Sequence, residues 1–305
     1  LWLVNGLAQS GLWSSLLMTL SKNLDEVYIK KAIVVMSTTA SIGVFLSYGI
    51  SALLVLLDVY TLVFLVAAVL MVVTAAFWVI IYKNITLKAQ PVQESYVVDK
   101  KPQKQKTDKS VYKVLVLFGI FAIVVNLVKD GLSTWIPTVL KDEYALPESL
   151  SIFLTLFVPV LGVFGTAFVV ALNKKIKDYN ALIAITFAIS SVFALVVVLV
   201  LKTPAWIAVL ISFGIMAFLM SGSNNVITSM LPLGLRDKAN SGFVAGILNG
   251  CCYVGSTISS VGLGAISDNF GWSVVFDIFL IMLVAVCVLS LTIYIIKVIK
   301  NRKRT

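Results

Sequence analysis

Apolar stretches of about 20 residues follow one another along this chain, and that repetition restricts its fold more than any other feature. Each is long enough to cross a hydrocarbon layer of about 30 Å as a helix, the one single-segment structure that satisfies its own backbone N–H and C=O groups. Only 12% of the 305 residues are charged while 60% are hydrophobic, and the mean hydropathy is +1.02. A water-soluble core cannot absorb that much apolar surface. The fold class that follows is all-α, a polytopic membrane protein.

Between charged or Pro/Gly punctuation, the apolar runs predict helices over 2–21, 32–57, 61–82, 112–140, 149–172, 181–201, 204–231, 239–266 and 272–297. The break before 204 rests on Lys202, Thr203 and Pro204 as a tight turn. Residues 84–111, with Pro91, Pro102 and a lysine-rich run, lack apolar character and read as a solvated central loop. That loop separates a three-helix segment, 1–83, from a six-helix block with a basic tail, 112–305.

All but three of the 24 basic residues fall in alternate loops or in the tail, the exceptions being Lys129, Lys141 and Lys202. This bias places the central loop and the C-terminus in the cytoplasm, against an anionic leaflet. The net charge of +10 is therefore a topological signal, and the expected partners are membrane lipids and a small solute, with no nucleic acid. Cys251, Cys252 and Cys287 all lie in apolar runs of a chain without histidine and read as packing residues, so neither a metal nor another cofactor is expected. With no phosphate-binding glycine loop and no nucleophile elbow, the chain does not read as an enzyme.

The chain also repeats itself: at one constant offset Asp25 falls on Asp237, Gly43 on Gly255 and Tyr82 on Tyr294, with helices and basic loops in the same order. Residues 1–83 then correspond to the last three helices of the six-helix block. On this reading about nine helices of an expected twelve are present, the sequence is truncated at its N-terminus, and residues 1–305 alone are expected to transport poorly. The opening segment has neither the basic region nor the cleavage site of a signal peptide.

Two halves related by an axis along the membrane normal is the pattern of major facilitator transporters. Gly262-Leu-Gly-Ala-Ile-Ser-Asp-Asn-Phe-Gly-Trp272 resembles the end of their penultimate helix and its outer loop. Lys129-Asp-Gly-Leu-Ser-Thr-Trp-Ile-Pro-Thr-Val-Leu140 is similar to the seventh helix of the organophosphate:phosphate antiporter branch. Asn5-Gly-Leu-Ala-Gln-Ser-Gly-Leu-Trp13 and Gly246-Ile-Leu-Asn-Gly-Cys-Cys-Tyr-Val-Gly-Ser256 resemble that branch's fourth and eleventh helices. The resemblance implies a monomeric transporter of the bacterial cytoplasmic membrane working by alternating access. Its substrate would be a small organic anion such as a sugar phosphate or glycerol phosphate, exchanged for inorganic phosphate. Two other readings stay open: a membrane sensor of such a ligand that does not transport, and a proton-coupled exporter in which Asp130 titrates.

Lys129 is the sharpest candidate, because an uncompensated ammonium in the middle of a spanning helix costs at least about 2.5–3.5 kcal/mol. An anionic substrate in a wet cavity would repay that cost; the alternatives are pairing with Asp130 or snorkelling outward. Adjacent helix positions point about 100° apart, so Asp130 is expected to be poorly aimed at it. The branch carries an arginine here that binds phosphate, and lysine keeps the charge without the planar fork. Asn126, one turn earlier, shares the face of Lys129.

Asn224 and Asn225 place amides at membrane depth, either in a wet cavity or in interhelical hydrogen bonds. By resemblance, Trp135 and Tyr253 contribute to the substrate site, and Ser37 and Thr38 occupy the equivalent region of the first half. The branch's histidine near there has no counterpart, Ala40 standing in its region, which excludes a histidine proton relay. Pro137 is either a gating bend or a tolerated transmembrane proline. Gly242, Gly246 and Gly250 give one smooth helix face for close packing and rocking.

Overall fold

The structure is a computed structural model that describes residues 12–23, 26–57, 59–88 and 107–302. Two helices come first, α1 (Leu12–Asn23) and α2 (Glu26–Leu56), then α3 (Val63–Lys88) after a short 3₁₀ turn at Tyr60–Leu62. The long α4 (Lys109–Tyr144), α5 (Glu148–Thr155), α6 (Phe157–Lys175) and α7 (Tyr179–Val200) follow. Next, α8 (Trp206–Asn225) passes through a π turn at Val226–Met230 into α9 (Leu231–Gly234). In the same way α10 (Ser241–Thr257) passes through a π turn at Ile258–Gly262 into α11 (Leu263–Phe270), and α12 (Trp272–Arg302) ends the described chain.

Among the described residues, seven helical stretches are long and apolar enough to cross a membrane: Val63–Ile81, Lys109–Tyr144, Leu150–Lys175, Tyr179–Val200, Trp206–Gly234, Ser241–Phe270 and Trp272–Arg302. They coincide with the last seven expected spans. The first expected span, 2–21, lies half outside the described residues, and the second is covered by α2. Residues 89–106, most of the expected central loop, lie outside them too.

The helix starts follow from local chemistry. Asp108, Asp178 and Asn240 each sit just ahead of a helix with extended backbone and accept hydrogen bonds from the amide groups of the first turn. These caps satisfy donors that have no partner within the helix. At the other end of α4, Ala145 adopts a left-handed conformation and its N–H bonds the carbonyl of Leu140. Pro137 lies within α4, which continues as a helix to Tyr144.

The chain divides into two compact units, Leu1–Ile42 with Lys106–Thr305, and Gly43–Gln105. In the larger unit α4 packs against α10 and α8, α6 against α8, α7 against α8 and α12, and α1 against α10. Phe121, Phe187, Phe213 and Phe279 are fully buried, and Phe213 stacks on Phe276 with ring centroids 5.1 Å apart.

The closest approaches are backbone to backbone. A Cβ on Gly165 would lie 1.9 Å from the carbonyl oxygen of Phe218, and one on Gly255 2.2 Å from that of Ile123. Glycine is required where helices meet that tightly. The expected glycine face on α10 is used in part: Gly242 and Gly246 lie against Ser14 of α1, whereas a Cβ on Gly250 would meet nothing within 4 Å.

The smaller unit contains α3, whose Val63–Ile81 stretch has a hydropathy of 2.8 and no buried residue. A helix that is apolar all round yet unburied belongs in lipid, not in water.

Candidate substrate cavity

A cavity of about 290 Å³ opens in the larger unit between α1, α4, α6, α8 and α10. Lys129, Thr166, Ser221, Asn224, Asn225, Thr228 and Asn249 give it polar walls, and Trp13 and Tyr253 give it aromatic ones. Such a composition at membrane depth fits a water-filled path, because lipid leaves polar side chains unsatisfied.

Lys129 lies in the middle of α4 and faces this space, but it is not alone. Its Nζ stands 2.7 Å from Oδ1 of Asp130, which corrects the expectation that the neighbouring carboxylate is poorly aimed. The Cβ directions do diverge; the four-carbon lysine stem swings the ammonium back across the difference. The second carboxylate oxygen, Oδ2, accepts a hydrogen bond from the Ser256 hydroxyl on α10. Lys129, Asp130 and Ser256 therefore form one polar chain that links the cavity wall on α4 to α10.

The amides divide between lining and packing. Asn224 lines the cavity, and its Oδ1 accepts from Nδ2 of Asn126 at 2.9 Å and from the Cys252 thiol at 3.5 Å. Asn126 itself is buried, and its Nδ2 also reaches the Ala122 carbonyl at 3.0 Å. Thus Asn126 sits behind the cavity and orients Asn224. Asn225 also lines the space while its Nδ2 donates to Thr166 Oγ1 at 3.2 Å and its Oδ1 accepts from Ser229. Asn224 and Asn225 thus line the cavity and also tie α8 to α4 and α6.

Tyr253 lines the cavity and is exposed. Trp135 is placed elsewhere: its indole N–H donates to the Ser259 carbonyl at 2.9 Å, and its ring lies 5.7 Å from that of Trp272. It is a packing residue that ties α4 to the π turn of α10, where the changed hydrogen-bond register leaves a carbonyl to cap. The Ser37 side chain lies outside the described residues, and Thr38 is half-buried on α2 away from the cavity lining.

Sequence reasoning passed over Thr166, Thr228 and Asn249. Thr166 and Asn249 are lone polar residues within apolar runs, a signal that membrane depth makes readable, whereas Thr228 continues the polar cluster that begins at Ser221. Trp13 lines the cavity and its indole N–H reaches the Thr228 carbonyl at 3.4 Å.

No curated protein matches the chain. The family model described as Major Facilitator Superfamily matches residues 1–260, most of the sequence. With seven helical stretches among the described residues long and apolar enough to cross a membrane, and a polar cavity in the larger unit, the chain belongs to the major facilitator superfamily and is a multi-pass integral membrane transporter.

Proposed function

We propose that this transporter carries a small organic anion by alternating access, with Lys129 as its anchor. The sugar-phosphate and glycerol-phosphate class is favoured, with inorganic phosphate as the exchange partner and the basic tail in the cytoplasm. One observation carries this reading: the only cationic side chain lining the cavity among the described residues is the Lys129 ammonium, flanked by neutral donors on α6, α8 and α10. An anion entering there replaces lost hydration with a charge-assisted bond and with hydroxyl and amide hydrogen bonds. The lysine presents a point charge and not a fork, so it suits a substrate gripped at one oxygen while other groups are read by Asn224, Asn249 and Tyr253.

The test is binding of radiolabelled glycerol 3-phosphate and inorganic phosphate to the purified chain, with Trp13 fluorescence as a second readout. Lys129→Gln should weaken anion binding by about tenfold or more, the usual cost of losing a charge-assisted contact of about 1.5–3 kcal/mol. Unchanged affinity in that variant, in a protein that remains folded, would remove the anion assignment and leave the transporter class standing.

A further inference from the structure

We infer that Asn224 reads the solute as a donor only: Asn126 and Cys252 hold its carboxamide from behind, so that Nδ2 alone is left for the cavity and takes an acceptor oxygen of the anion. This deepens the preceding reading and rests on it. The orientation is fixed residue by residue, starting from a group that has no choice. The Ala122 carbonyl can only accept, and it takes one hydrogen of Asn126 Nδ2 at 3.0 Å. The second hydrogen of that nitrogen goes to the Asn224 side chain at 2.9 Å, so the atom of Asn224 that meets it is the oxygen, Oδ1. The Cys252 thiol donates to the same oxygen at 3.5 Å. A carboxamide oxygen has two lone pairs, and both are then filled, one from α4 and one from α10. Asn224 keeps no acceptor for a solute, whereas among the described residues its Nδ2 has no protein partner.

The adjacent groups are committed differently. Asn225 is engaged at both ends of its carboxamide, by Thr166 and by Ser229, and Thr228 spends its hydroxyl hydrogen on the backbone carbonyl of Asn224 at 2.8 Å. The cavity wall therefore sets a cation, Lys129, and a neutral donor of fixed polarity, Asn224, around one space. A solute that satisfies both brings at least two acceptor oxygens, as a phosphate, sulfate or carboxylate group does. An ammonium, or a hydroxyl offering its hydrogen, finds no partner in Asn224. Asn126 and Cys252 are buried, 3% and 5% exposed, and stand behind the wall, so they are positioning residues that act through Asn224.

The experiment compares inorganic phosphate with sulfate on the purified full chain at about pH 8.5, where phosphate is mostly a doubly charged ion that keeps one hydrogen and sulfate is a doubly charged ion with none. Shape and charge are then matched, so the ratio of the two affinities reports whether the wall donates or accepts. Asn224→Asp keeps the side-chain shape and turns the atom left for the solute into an acceptor, which a P–OH group can satisfy and sulfate cannot. It should raise the phosphate-to-sulfate affinity ratio by about tenfold or more, the usual effect of leaving an acceptor unpaired. An unchanged ratio means that Asn224 already presents its oxygen; it overturns this inference and spares the anion reading. Asn126→Leu with Cys252→Ala removes both donors behind the amide. The pair should weaken phosphate binding about threefold in the wild-type background and change nothing in Asn224→Leu, whereas equal losses in both backgrounds overturn the positioning role. If Asn224→Asp does not fold or binds neither ion, that cycle decides alone. No phosphate binding by the wild type overturns both this inference and the anion reading.

Discussion

Three lysine–carboxylate pairs among the described residues are made of the same groups and differ in where they stand. Lys202 with Glu143 and Lys297 with Asp178 lie at helix ends, their lysines 66% and 58% exposed, so water remains an alternative partner for each ammonium. Lys129 with Asp130 lies at mid-helix beside the polar cavity, with 24% and 30% exposure. At the ends, an ion pair adds a little to stability and nothing depends on its charge balance. At mid-depth the pair is what makes either charge tolerable, and anything that separates the two must bring a replacement. Position, and not chemistry, turns a common surface contact into a candidate machine part.

The comparison can be broken most directly at Lys129. Replacing it by Ala strands the Asp130 carboxylate and should cost about 3 kcal/mol in unfolding measurements in bicelles. Replacing both residues by Ala should return stability to within about 1 kcal/mol of the wild type, because no charge is left behind. A double variant as unstable as the single would mean that the pair contributes by packing, and the contrast with the ends would vanish. Lys202→Ala should change stability by no more than about 1 kcal/mol, an effect that shrinks further in high salt.

The smallest effect is expected from acid at Asp178. Partial burial raises the pKa of this carboxyl, but the Lys297 ammonium and the first-turn amides of α7 outweigh it and hold the group below the usual carboxylate range. A lowered folded value means that the contribution is fully present above the ordinary value of about 3.9 and is lost as the pH falls through the folded one. Unfolding midpoints followed downward from about pH 6 should therefore drop at the acid end, and less steeply in Lys297→Ala.

Much of the architecture was legible because membrane depth makes each residue's polarity meaningful by itself. Apolar runs located the spans, and Lys129, Asn224 and Asn225 stood out as exceptions inside them. Partnerships across helices were not legible. Nothing in the spacing of Asp130 and Ser256, or of Gly165 and Phe218, says that they meet, because a period of 3.6 fixes which face a residue is on and not which helix that face will find. Trp135 shows the other limit. A resemblance in motif suggested a substrate contact, whereas local geometry gave its indole N–H to the Ser259 carbonyl. Polar residues standing alone in a span, such as Thr166 and Asn249, carried a real signal that only the folded cavity made visible.

The π turn at Ile258–Gly262 has a consequence for anyone reading or redesigning the segment around it. A turn closed from i to i+5 takes up one residue more than an α turn, and one residue amounts to about 100° of rotation. Ser256 before it and Gly264 after it therefore belong to two different angular registers. A single helical wheel drawn from 241 to 270 would assign the wrong azimuth to everything past the bulge, and a one-residue deletion there would re-aim the entire C-terminal end of the span while leaving its own residues untouched.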